Sequence, residues 1–135
     1  MFEVPMYRQN GSRIELQDLL RKVPVNDWIW LIIEFDGVAN LPNDESIDGF
    51  QNRIRYLPKG LVQTWEDILR FSQCIDYVVD CLIVAVSCIE EVDVERLLND
   101  EFQDCVIFIR AIDSTDWMLY ASSAEILDGF KVITS

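Results

Sequence analysis

The segment between residues 105 and 121 constrains the fold most strongly. Cys105 to Ile112 is almost entirely apolar and β-branched, and Trp117 to Ala121 is a second short apolar run. The residues between them, Asp113 to Asp116, are turn formers. Two apolar runs joined by so short a turn favour pairing with each other in antiparallel orientation. The sequence therefore predicts a β-hairpin here and a mixed or antiparallel sheet around it.

Other segments predict helices that pack against this sheet. Apolar residues recur at helical spacing after capping signals. The predicted helices run from Ile14 to Val23, from Thr64 to about Asp76, from Val92 to Leu98, and from Ser122 or Ser123 to Phe130.

The remaining strands are predicted from apolar and aromatic runs. Trp28 to Phe35 indicates a central strand, and Val79 to Ser87 a buried one, although its apolar residues also continue the preceding helical pattern. Arg53 to Leu57 is a candidate edge strand and Lys131 to Ile133 a candidate terminal strand, while Asp36 to Asn52 predicts the longest loop. We expect one α+β domain over residues 1–135, with four to five strands and three to four helices.

Charge is the most unusual feature of the composition. The chain has 24 acidic and 11 basic residues, which gives a formal net charge of -13. This net negative charge repels polyanions, so nucleic acid and anionic membranes are not expected as partners. It attracts a basic protein and speeds its association.

The acids concentrate in two segments, which we take as the candidate partner-binding residues. The first group is Glu34, Asp36, Asp44, Glu45 and Asp48, and the second is Glu90, Glu91, Asp93, Glu95, Asp100, Glu101 and Asp104. One interpretation is a solvated face that keeps the protein in solution. The other is a site for a cationic protein surface, with carboxylates where nucleic-acid phosphates would otherwise lie.

Little in the sequence supports catalysis or a cofactor. Histidine is absent and the five glycines lie singly, so neither an activated nucleophile nor a phosphate-binding loop is indicated. Carboxylate pairs such as Glu34 with Asp36, or Asp113 with Asp116, could serve hydrolysis or hold a cation. Their positions at a strand end and in a tight turn favour a structural role. We expect no enzyme, no metal and no cofactor.

Cysteine and tryptophan are expected in the core. Cys74, Cys81, Cys88 and Cys105 form no C-x-x-C pair, so we expect reduced, buried thiols and no metal or redox centre. The four tryptophans follow strand and helix patterns. Trp28 and Trp30 share one side of their strand and would become interface residues only if that side faced solvent.

The longest apolar runs are too short to span a bilayer, and residues 1–10 lack the pattern of a secretory signal. The sequence therefore predicts a cytoplasmic protein and leaves its oligomeric state open.

The chain is small, acidic and of α+β class, and it lacks catalytic residues. In these features it resembles the immunity proteins of bacterial toxin systems, including those of contact-dependent growth inhibition. The resemblance implies neutralisation of a cognate toxin, often a basic nuclease, by direct binding. These immunity proteins have many unrelated folds, so it assigns no residue roles. The alternatives are a phage-type inhibitor that mimics nucleic acid against a restriction or CRISPR effector, and a carboxylate-dependent enzyme or small-ligand module.

Overall fold

The computed structural model describes residues 1–133. Its helices and strands, in chain order, are β1 (Phe2–Pro5), α1 (Leu16–Leu20), β2 (Ile29–Ala39), α2 (Ile47–Arg55), β3 (Leu61–Gln63), α3 (Trp65–Cys74), β4 (Ile75–Val86), α4 (Val94–Leu98), β5 (Ile107–Ile112), β6 (Asp116–Ala121) and α5 (Ala124–Lys131). The strands form one antiparallel sheet in the order β1, β6, β5, β4, β2, β3. The predicted α+β class is confirmed, but the described residues contain six strands and five helices, more than predicted.

The predicted hairpin is confirmed as β5 and β6, which pair from Ile107 opposite Ala121 to Ile112 opposite Asp116. Its turn is tighter than predicted. Asp113 and Ser114 have φ of 48° and 60°, and the N–H of Thr115 donates to the carbonyl of Ile112 at 2.9 Å. Two left-handed central residues make a type I′ turn, whose twist matches that of the flanking strands.

The first face of the sheet carries the main core. Helices α1, α2, α3 and α5 pack on it and bury the inward side chains of the strands. Trp30, Trp65 and Trp117 are buried and Trp28 is half-buried against the same core, which confirms their predicted role. The indole N–H of Trp117 donates to the carbonyl of Ile14 at 3.0 Å, so the buried ring leaves no polar atom unpaired.

The second face of the sheet is covered over only part of its area. Residues 87–106 connect β4 to β5 and pack Val92, Leu97 and Phe102 over strand residues such as Val84 and Phe108. The area covered by this segment extends to Leu82, which is fully buried. Among residues 1–133, the apolar cluster on this face includes no residue of β4 before Leu82 and none of β2 after Ile33, so the rest of the face is less covered than the first face.

The prediction for residues 36–57 is wrong. β2 continues to Ala39, and the expected loop contains α2. Ser46 caps α2 by accepting a hydrogen bond from the N–H of Gly49 at 3.0 Å, and Phe50 and Ile54 bury its inner face. Only Ile47, Phe50 and Ile54 carry the helical period, and the turn formers around them also suit a loop. The predicted edge strand at Arg53 to Leu57 is the end of this helix, and the edge strand is β3.

Boundaries elsewhere follow local signals. The capping box of Thr64 with Asp67 is confirmed at the start of α3, and the chain passes directly from Cys74 into β4, so the ambiguous apolar run is a strand. The first helix is shorter than predicted, because its capping box uses Glu15 with Asp18 instead of Ser12 with Glu15.

Both ends of the described chain differ from prediction. β1 was not predicted, and it forms an edge strand by pairing with β6. The predicted terminal strand at Lys131 to Ile133 is wrong, since α5 includes Lys131 and a turn follows. Across residues 1–133, no helix has both the length and the apolar content needed to cross a membrane.

Candidate protein-binding surface

Strand register places acidic side chains in rows on the uncovered part of the second face. Residues directly opposite each other in an antiparallel sheet point to the same face. One row consists of Glu3, Met118, Arg110, Leu82 and Glu34. The adjacent row contains Pro5, Asp116 and Ile112, and Asp80 opposite Asp36. We call the surface formed by Glu3, Glu34, Asp36, Asp80, Arg110, Ile112, Asp116 and Met118 the open face.

Glu34, Asp36 and Asp80 of the open face line a pocket of about 510 Å³. One wall is the C-terminal part of α2 with the segment after it, and the opposite wall is α4, which contributes Val94 and Leu98. We call this the α2–α4 pocket. Its lining therefore combines carboxylates on the sheet with walls that are largely apolar but also include Arg55 of α2.

The carboxylates of this pocket have few internal partners. Asp36 accepts a hydrogen bond from Nε2 of Gln51 at 3.3 Å, and Asp80 accepts one from the N–H of Asp113 at 2.9 Å. Within residues 1–133, no lysine or arginine forms an ion pair with Glu34, Asp36 or Asp80. Like charges directly opposite each other in a sheet are destabilising. The free protein thus carries an unfavourable pair in Asp36 and Asp80.

The basic residue of the open face, Arg110, is already engaged. Its Nη1 donates to Oδ1 of Asp100 at 2.6 Å and to the carbonyl of Leu98 at 3.0 Å. The guanidinium therefore balances the charge of Asp100, which follows α4, and connects the end of that helix to β5 by hydrogen bonds. In the described part of the chain it forms no ion pair with the pocket carboxylates, and the basic residue that lines the pocket itself, Arg55 of α2, donates to Oδ1 of Asn52 at 3.4 Å.

The structure divides the first predicted group of acids. Glu34 and Asp36 lie in the α2–α4 pocket, whereas Asp44 and Asp48 are exposed at the turn before α2 and in its first turn. Glu45 forms an ion pair with Arg53 at 2.9 Å and lines a different pocket. The hydrogen bond from Arg53 to this carboxylate raises the pKa of the guanidinium.

The second predicted group lies along the segment that covers the sheet. Asp93 caps α4, Asp100 binds Arg110, and Glu101 and Asp104 lie 3.4 and 3.8 Å from the guanidinium of Arg96. Their charges are partly balanced within the protein. The residues of this group that form no ion pair within the described chain are Glu90, Glu91, Asp93 and Glu95.

The cysteines are free, as expected, but they do not share one environment. Cys81 and Cys105 are buried, and desolvation raises the pKa of Cys81 to about 12 and that of Cys105 to about 11. Cys88 is exposed, which corrects its predicted burial. Its thiol donates a hydrogen bond to Oε2 of Glu90 at 2.9 Å, which raises the pKa of Cys88 and lowers that of Glu90.

Sequence reasoning missed Glu3, Asp80 and Asp116 as members of the surface. Asp80 carried one available signal, because it interrupts the otherwise uncharged run from Tyr77 to Val86. Glu3 and Asp116 carried none, since their position depends on the pairing of β1 with β6. In residues 1–133 no group of three or more acidic or cysteine side chains is placed to hold a metal ion. Comparisons with family models, with curated proteins and with solved structures find no match to this chain.

Proposed function

We propose that this chain is a cytoplasmic bacterial immunity protein, which binds a cognate basic protein toxin and neutralises it. The observation that carries the proposal is the open face, where Glu3, Glu34, Asp36, Asp80 and Asp116 form no ion pair within residues 1–133. A solvated surface that served only solubility would not need carboxylates directly opposite each other.

A rigid platform makes this surface suited to binding. The acids of the open face project from strands of one sheet whose other face is packed against four helices. Little conformational entropy is therefore lost when a partner docks on them. The net charge of -13 steers a basic partner toward the protein and raises the association rate at low salt.

The direct test is co-expression with the product of the adjacent toxin gene. We expect cell growth to be restored and a complex to be recovered by size-exclusion chromatography. If the chain neither restores growth nor forms a complex, the proposal fails.

Charge variants locate the interface within such a complex. We compare Glu34→Gln/Asp36→Asn/Asp80→Asn on the open face with Glu90→Gln/Glu91→Gln/Glu95→Gln on the covering segment, which changes the charge equally. We expect the first triple variant to dissociate faster and the second mainly to associate more slowly at low salt, since peripheral charges act chiefly on association. The reverse pattern would place the interface on the covering segment.

A small-ligand module is the second candidate, favoured by the convergence of three carboxylates in one pocket. The volume of about 510 Å³ lies within the usual range for ligand pockets. Calorimetric titration with a small dication such as putrescine tests it. Saturable binding that Asp36→Asn abolishes would support this candidate, and heat that reflects only dilution would reject it.

A further inference from the structure

The open face carries apolar side chains between its charged ones. Ile112 and Met118 are partly exposed apolar side chains between carboxylates, and Leu98 at the edge of the α2–α4 pocket is 39% exposed. Binding interfaces combine an apolar centre with polar groups that set orientation. The open face therefore offers a protein partner apolar contacts in addition to its charges.

The α2–α4 pocket has two chemical parts that correspond to the two parts of an arginine side chain. Val94 and Leu98 offer an apolar wall to an aliphatic stem, and Asp36 and Asp80 lie on the sheet beside it. Arginine buries its methylene groups against apolar surface and directs a planar fork of N–H donors at carboxylates. One guanidinium can therefore bridge two carboxylates on neighbouring strands.

The protein already binds one of its own arginines on the neighbouring part of this surface. The side chain of Arg110 is only 20% exposed and donates to a backbone carbonyl of α4 and to Asp100. This internal contact shows that the edge of α4 and an adjacent carboxylate can accommodate a guanidinium. The pair of Asp36 and Asp80, one strand further, forms no ion pair within the described residues, although Arg55 lines the same pocket.

We propose that the open face docks the basic surface of a protein partner, with one arginine side chain of that partner inserted into the α2–α4 pocket and bound by Asp36 and Asp80. This inference rests on the proposed function insofar as the partner is a basic protein. The inserted cation reduces the repulsion between the two carboxylates, and the net charge of the pocket stays favourable because its three carboxylates outnumber the one guanidinium of Arg55.

The pocket can be probed without the partner. N-acetyl-arginine methylamide is titrated into the ¹⁵N-labelled protein, and backbone amide shifts are followed by NMR. We expect saturable shifts confined to the pocket, with about threefold weaker binding of the lysine analogue and none of the neutral citrulline analogue. Absence of shifts, or equal shifts at all acidic segments, would overturn the proposal.

Matched variants separate this site from general acidity. Asp36→Asn/Asp80→Asn should weaken binding of the arginine probe about tenfold, whereas Asp44→Asn/Asp48→Asn, with the same change of charge, should leave it unchanged. Equal effects of the two double variants would overturn the proposal. Circular dichroism and thermal unfolding of each variant establish that it is folded.

The complex with the toxin distinguishes the two proposals. If the complex forms but dissociates at an unchanged rate with Asp36→Asn/Asp80→Asn, the arginine site is refuted and the immunity function stands. If the probe binds as expected but no toxin is neutralised, the immunity function fails and the arginine site stands.

Discussion

Replacing Asp36 with Asn tests whether the opposed carboxylates of the open face cost stability. Asn has nearly the same size and keeps an oxygen that can accept the hydrogen bond from Gln51. It removes the negative charge opposite Asp80. We therefore expect Asp36→Asn to be more stable than the wild-type protein, although the change removes a proposed binding residue.

The magnitude follows from sheet geometry. Directly opposite side chains have Cβ atoms about 4.5–5.5 Å apart. Two like charges about 5.5 Å apart in a medium close to water repel by about 0.8 kcal/mol. This value lies within the range of about 0.2–1 kcal/mol for cross-strand pairs. For a chain of this length, it corresponds to an increase in Tm of about 3 °C.

Urea unfolding followed by tryptophan fluorescence measures the difference. Asp27→Asn is the matched control, because Asp27 is exposed in the loop before β2. This substitution changes the net charge by the same amount as Asp36→Asn. We expect the gain of Asp36→Asn over this control at about 20 mM salt to shrink at about 500 mM, since screening shortens the range of the repulsion. A gain no larger than that of the control, or one independent of salt, would refute the reasoning.

Three further predictions concern the backbone, pH and thiol chemistry. Gly60 and Gly11 have φ of 76° and 87°, but a Cβ at Gly60 would lie 2.7 Å from a backbone oxygen of β2, whereas one at Gly11 meets nothing within 4 Å. In urea unfolding, alanine should cost about 1 kcal/mol at Gly11 and more than twice that at Gly60, and equal losses would contradict the close contact. The backbone N–H and then the hydroxyl of the residue that caps α3 lower the pKa of Asp67. A lowered carboxylate pKa stabilises the fold above the unfolded value and loses that effect as pH falls through the folded value. The stability advantage over Asp67→Asn should therefore be constant from about pH 7 to 5 and shrink below about pH 4, and an advantage that grows on acidification would contradict this. The hydrogen bond to Glu90 raises the pKa of the exposed Cys88, so Glu90→Gln should speed its alkylation by iodoacetamide, as followed by mass spectrometry. An unchanged rate would indicate that the bond does not persist in solution.

The parts of the fold that were predictable have local causes. The hairpin of β5 and β6 was predicted because its turn formers and apolar runs are adjacent in the chain. The start of α3 was predicted because its capping box occupies four consecutive residues. Helix α2 was missed because its buried side chains are few and its other residues also suit a loop. Its position depends on packing against β2 and α3.

The candidate site was predictable only in part, for a similar reason. The density of acids around Glu34 and Asp36 is visible in the chain, but Glu45, close to them in sequence, is paired with Arg53 on another side of the protein. Proximity in sequence therefore did not determine which acids share a surface.

By itself, the sequence determined the acidic balance and the α+β class, because composition and short-range patterns set them. The tertiary structure alone decided that Asp36 faces Asp80, that Arg110 is engaged elsewhere, and that part of one sheet face is left uncovered. Strand register sets the first of these relations, and packing of the segment between β4 and β5 on the sheet sets the other two. All three bring together residues that are distant in the chain.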